Sequence, residues 1–215
     1  MGQVKIDFRL YLITDGTLFP DEDVFFDAIE GALKAGVRAV QLREKDLPTR
    51  ELLNVGYRMR KLTAEYGAKL FVNDRTDIAL CAGADGVHLG QESMPVYAVR
   101  KIAGEGFTIG VSTHNLTEAS LAEKEGADFI TFGPVYLTPS KLKYGAPVGL
   151  EALNKVAGEI GIPVFGIGGI KLDTINAVMK SGAHGIAVIT GILSAAEKEM
   201  AAKDYLQMID AVVQR

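Results

Sequence analysis

The run Gln41-Leu42-Arg43-Glu44-Lys45 puts an amide, two cations and a carboxylate into five residues at the end of an apolar stretch. On a strand, alternation gives Gln41, Arg43 and Lys45 one face and Leu42 and Glu44 the other. Two cations and an amide buried together need an anion, and a diphosphate is a natural one. The plainer reading is an internal ion pair, Arg43 with Asp74 for example. Asp74 closes the run FVND, where a strand-end carboxylate facing Glu92 and Ser93 after the next strand suits a hard cation shared with substrate phosphates. The runs GIGGI (166–170) and VITG (188–191) offer backbone amides to a phosphate, or else are only tight turns. Thr138 and Ser140 set two hydroxyls beside Lys141 in the long loop Leu137 to Val148, a length that is often functional; the alternative is a solvated loop with exposed lysines. His114 follows Val-Ser-Thr and could serve as acid or base, but no partner is visible, and a structural histidine is the bland reading.

These residues recur at one kind of place. RLYLIT is a short apolar run followed by a helical pattern that Gly36 stops, and the same strand-then-helix grammar repeats through AVQLRE, KLFVN, GVHLG, TIGVST, DFITFGPVY, PVFGIGG and GIAVITG. The last of these precedes a helix expected from Ser194 to Val213. Helices end in Ala-Gly, Glu-Gly or Ser-Gly signatures at Gly36, Gly83, Gly126 and Gly182, the residue type that accepts a left-handed backbone past a helix end. The strands are nearly continuous runs of Val, Ile and Phe, as in a parallel sheet buried on both faces. Eight uninterrupted units of roughly 25 residues predict an α/β fold, a single (β/α)8 barrel of the TIM type, with residues 1–215 as one domain. In such a barrel the strand ends and following loops build the active site. All the candidates above lie there, and the loops after strands seven and eight are the usual phosphate cradle.

Composition excludes other classes. Lys+Arg of 23 against Asp+Glu of 27 gives a net charge of −4, with no basic surface for nucleic acid or an anionic membrane. The one cysteine, Cys81, lies in the apolar run IALCAG and reads as a small buried hydrophobe. A reducing cytoplasm fits, and no targeting signal or membrane span is found. No Cys/His cluster suggests structural zinc. His88, inside GVHLG, and His184, where the chain's other such turns have Asp, are not site candidates.

Taken together, LYLITD, QLREK, FVNDRTDIAL, GADGVHLGQE, GVSTH, FGPVYLTPSK, GIGGI and GIAVITGI resemble the thiamine phosphate synthases and their relative, the thiazole tautomerase TenI, in order over nearly the whole chain. The resemblance implies a transferase that condenses hydroxymethylpyrimidine diphosphate with thiazole phosphate, with magnesium, giving thiamine phosphate and diphosphate. It implies that Gln41, Leu42, Arg43, Glu44 and Lys45 bind the pyrimidine diphosphate with Asn73, Ser112 and Lys141. It further implies that Thr138, Pro139, Ser140, Gly169, Ile189 and Thr190 hold the thiazole phosphate, with His114 at the substrate. Arg43, Lys45, Ser112 and Lys141 would carry catalysis by positioning and neutralising charge. Asp74 would bind magnesium, and Ser93 stands where the aspartate of the family's GQED motif is the usual second magnesium ligand. Small phosphorylated molecules are the implied partners, and self-association is left open. Two other readings are a tautomerase using His114 without metal and a phosphate-binding protein without turnover.

Overall fold

A computed structural model describes residues 5–138 and 146–213. Eight parallel strands close into a barrel in chain order: β1 (Leu10–Ile13), β2 (Ala39–Leu42), β3 (Lys69–Asn73), β4 (Gly86–Leu89), β5 (Thr108–Thr113), β6 (Phe129–Phe132), β7 (Val164–Ile167) and β8 (Gly185–Val188), with β8 pairing back onto β1. The helices between them form the outer layer: α1 (Glu22–Ala35), α2 (Thr49–Glu65), α3 (Thr76–Ala82), α4 (Val96–Ala103), α5 (Leu116–Lys124), α6 (Gly149–Glu159) and α7 (Ile175–Lys180). The expected barrel is the observed one.

The terminal helix differs from expectation. A short α8 (Thr190–Leu193) follows β8 directly, and a break precedes α9 (Lys198–Val213), which packs against α1 and α7. Among the described residues no helix is long and apolar enough to cross a membrane. Cys81 is a second correction: it is exposed. In α3 the inward positions are Ile78, Ala79 and Ala82, so helical phase turns Leu80 and Cys81 outward even though the run is apolar.

Two apolar layers follow from strand alternation. Leu12, Val40, Leu42, Val72, Val87 and their counterparts face the helices, whereas Phe8, Tyr11, Phe71, Phe129 and Phe165 fill the barrel. The interior alternates large against none. Phe71 pairs with Gly86, Phe129 with Gly110 and Phe165 with Gly185, and a Cβ on each glycine would lie 2.8, 2.4 and 2.7 Å from its partner's ring. Phe8, from the segment before β1, plugs the amino end of the barrel edge-on to Phe129 at 5.8 Å.

The recurrent glycine turns do more than end helices. Gly36, Gly83, Gly126 and Gly182 all have positive φ, as expected. The aspartates that follow two of them also tie the amino end together: Asp85 accepts from the Leu70 amide, Arg60 and Lys69, and Asp128 from the Ile109 amide and Arg100. Burial alone would push the Asp85 carboxyl up, but the Leu70 amide, Arg60 and Lys69 hold it below its ordinary value.

Candidate active site

At the other end of the barrel the strand ends open into a cleft of about 670 Å³. Its walls include Leu42, Arg43, Glu44, Lys45, Asn73, Asp74, Ser93, Ser112 and His114, so residues from four successive strand ends are brought together. Alternation does not carry as far as the sequence suggested. The strand β2 stops at Leu42, and Arg43 to Lys45 belong to the loop beyond it. Gln41 alone keeps the strand's inward direction, and it is buried beneath the cleft. Leu42 packs outward against the helical layer and meets the cleft only at its rim.

The ion pair offered as the plain reading is not formed. Arg43, Lys45 and Asp74 have no carboxylate or cation within 4.0 Å among the described residues. Glu44 behaves differently from its neighbours. The Thr14 hydroxyl donates to its Oε1 at 2.5 Å and the Gly16 amide to its Oε2 at 2.8 Å. Burial pushes the Glu44 carboxyl up, and these two bonds oppose the rise.

Asp74 sits in the left-handed region at φ 63°, a rare conformation for a residue with a side chain, and strain of this kind collects at functional positions. Its amide donates to the His88 carbonyl at 2.8 Å, while its carboxylate stands exposed at the cleft. The Ser93 hydroxyl accepts from the Gly90 amide at 2.7 Å and so closes the turn after β4. No group of three or more His, Cys, Asp or Glu gathers as a metal site among the described residues. Asp74, a carboxylate with no ion-pair partner among the described residues, nonetheless fits a magnesium ion, which keeps several waters and takes its remaining oxygens from substrate phosphates.

Beneath the cleft lies a polar layer that the sequence reading did not assemble. Gln41 Nε2 donates to the Tyr11 hydroxyl at 3.1 Å, and that hydroxyl stands 3.5 Å from His88 Nδ1. His88 Nε2 is 3.0 Å from Ser112 Oγ and 3.3 Å from Thr131 Oγ1. Burial lowers the His88 pKa to about 3 and raises that of Tyr11, so the layer is neutral and acts through oriented dipoles. Its signal in the sequence was a polar residue at an inward position of an otherwise apolar strand: Tyr11 in LYLI, His88 in GVHL, Thr131 in FITF.

His114 has the partner that the sequence did not reveal. Glu118 Oε2 lies 3.0 Å from Nδ1 and also accepts the His114 amide at 2.8 Å, while Asn115 caps α5. The remaining candidates lie toward the ends of β6, β7 and β8. Gly169 has φ 66°, and a Cβ there would meet the Leu137 carbonyl at 2.8 Å, so only glycine fits. Ile189 and Thr190 open α8 on the neighbouring strand, and Thr138 follows β6. Pro139, Ser140 and Lys141 lie outside the described residues.

Comparison with known proteins agrees with this fold and identifies a family. Residues 10–192 match the sequence profile of the family described as thiamine monophosphate synthase. A Geobacter sulfurreducens protein, provisionally named a thiamine-phosphate synthase, is 51% identical over 205 residues, 95% of this chain and 96% of that protein. The thiamine-phosphate synthase of Clostridium acetobutylicum is 43% identical, covering 89% and 90% of the two chains. The solved thiamine phosphate pyrophosphorylase of Pyrococcus furiosus superposes with a TM-score of 0.87 at 40% identity, covering 96% of this chain and 97% of its own. A 3-hexulose-6-phosphate synthase, at 22% identity and a TM-score of 0.73, shares the fold alone.

Proposed function

The chain belongs to the thiamine monophosphate synthase family, and we infer that its barrel mouth joins hydroxymethylpyrimidine diphosphate to thiazole phosphate, releasing diphosphate and giving thiamine phosphate. One observation carries the reading at the level of residues: Arg43 and Lys45 line the same cleft as Asn73, Asp74 and Ser112, and neither forms an ion pair within 4.0 Å among the described residues. Two cations in a recess without a bound carboxylate favour a polyanion, and a diphosphate leaving group is one.

In the reaction the methylene carbon of the pyrimidine loses its bond to the diphosphate oxygen, which departs with the electron pair. The thiazole nitrogen then supplies the pair for the new carbon–nitrogen bond. Arg43 and Lys45 hold the departing oxygens, and Asn73 and Ser112 orient the pyrimidine end, Ser112 being fixed from below by neutral His88. Gly169, Ile189 and Thr190 take the thiazole phosphate on backbone amides, assisted by Thr138, Pro139 and Ser140, while Lys141 joins Arg43 and Lys45 on the pyrimidine diphosphate. Asp74, with Ser93 through a water, would hold magnesium, which supplies charge neutralisation to the diphosphate.

The test is direct. Purified protein given both substrates and magnesium yields thiamine phosphate and inorganic diphosphate in equal amounts; no thiamine phosphate would overturn the reading. The His114–Glu118 pair favours a second activity in the same mouth, proton transfer on a carboxylated thiazole phosphate, because a carboxylate-oriented imidazole is a competent base. If His114→Ala isomerises that compound as fast as the parent protein, the acid-base role of His114 is excluded; if the parent protein does not isomerise it, the second activity is excluded.

A further inference from the structure

The segment 43–47 has open space on both sides. Arg43, Glu44, Lys45 and Leu47 line the cleft, and the same four residues line a second hollow of about 810 Å³ toward Asp15, Phe19, Phe25 and Val55. Packing alone does not decide where such a wall stands, since neither face is filled. It is tied instead through Glu44. The Thr14 hydroxyl, fully buried at the end of β1, accepts the Arg43 amide at 2.9 Å and donates to Glu44 Oε1 at 2.5 Å. The Gly16 amide holds Oε2 at 2.8 Å, and a Cβ on Gly16 would lie 2.7 Å from that oxygen. The backbone of Arg43 and the side chain of Glu44 are thus locked to one hydroxyl and to the loop after β1.

The charge is as informative as the geometry. A carboxylate between two cations in a diphosphate cleft would repel the ligand if it faced it. Here both oxygens are taken by protein donors.

We propose that Glu44 is a positioning residue rather than a substrate ligand: with Thr14 and the Gly16 amide it sets the wall so that the side chains of Arg43 and Lys45 meet the diphosphate. The proposal rests on the diphosphate reading of the cleft. It makes an opposite prediction to direct contact, because removing an anion that faced a diphosphate would tighten binding, whereas removing the tie weakens it.

The experiment measures binding of inorganic diphosphate with magnesium by calorimetry, together with KM for each substrate, in Glu44→Ala, Glu44→Gln, Thr14→Val, Glu44→Ala/Thr14→Val and Gly16→Ala. Glu44→Ala is expected to weaken diphosphate binding and raise the KM for the pyrimidine diphosphate about tenfold, with the thiazole phosphate KM unchanged. Glu44→Gln, which keeps an acceptor, recovers part of that loss. The double variant should be no worse than about twofold beyond the poorer single, since both remove the same tie. Gly16→Ala deletes no polar group and presses only on Oε2, so an effect there in a protein with an unchanged melting temperature cannot come from misfolding. Equal or tighter diphosphate binding in Glu44→Ala, or losses that simply add in the double variant, would overturn the proposal. If the parent protein binds no diphosphate, the reading of the cleft fails first, and independently.

Discussion

The two ends of the barrel treat charge in opposite ways. At the amino end, Asp85 and Asp128 each accept a strand amide and an arginine from the preceding helix. At the carboxyl end, Arg43, Lys45 and Asp74 stand without ion-pair partners among the described residues. Charges withdrawn from water are tolerable once their partners are fixed, and the amino-end set therefore holds strands to helices. Among the described residues the mouth leaves Arg43, Lys45 and Asp74 without an internal counter-ion within 4.0 Å, where a ligand could complete them. On the proposed reading, one end serves stability and the other serves binding.

The comparison breaks most visibly at Arg43. Replacing it with Ala should lower kcat/KM for the pyrimidine diphosphate by about a thousandfold, the scale of losing one donor aimed at developing charge. The melting temperature should stay within about 2 °C, since no internal partner is stranded. A large loss of thermal stability would mean that Arg43 holds the fold as well.

Asp128→Ala is the converse. The Asp128 side chain is only 10% exposed and Arg100 17%, so the variant leaves a guanidinium and the Ile109 amide short of their acceptor. A loss of about 2 kcal/mol, or about 6 °C in melting temperature, is expected, with kcat/KM unchanged. Calorimetry and steady-state kinetics on one preparation would check both halves.

How much of this was legible in the sequence depends on how local the signal is. The eight units were readable because each apolar run and each glycine turn announces itself within a few residues, as Gly36, Gly83, Gly126 and Gly182 do. Asp85 and Asp128 were visible as a repeated Gly-Ala-Asp, but their partners lie in another helix and strand, and only closure brings these within reach. Direction was the weaker inference. The alternation assigned to Gln41, Arg43 and Lys45 ends with the strand at Leu42, and Cys81 was judged by its apolar neighbours rather than by helical phase. Glu118, four residues after His114 on an adjoining helical turn, could have been found from spacing alone.

Between the ends lies the neutral layer, and acid should expose its cost. His88 is held to a pKa of about 3 by burial, whereas in the unfolded chain it protonates near its ordinary value of 6.5. Below 6.5 the unfolded state therefore binds the extra proton, and stability falls as pH drops toward 3. Between pH 7.5 and 5 the loss is about 2 kcal/mol. Urea unfolding at the two values should show it, and His88→Gln should flatten the difference. An equal pH slope in that variant would shift the effect to other groups.

The smallest effect concerns the uncharged Ser93 at the mouth. Ser93 accepts the Gly90 amide at 2.7 Å and brings no charge to the side of the cleft facing Asp74. An aspartate at this position could keep the amide bond with one oxygen and present the other to a bound cation or its water. Ser93→Asp should therefore lower the magnesium concentration for half-maximal synthase activity by about threefold to tenfold, with little change in melting temperature. A magnesium titration of initial rates decides the matter. An unchanged requirement would mean that the turn after β4 holds the loop only, and that Asp74 with the substrate phosphates carries the metal alone. Reduced activity with a tighter metal would instead show that a further carboxylate at this position competes with the leaving diphosphate for Arg43 and Lys45.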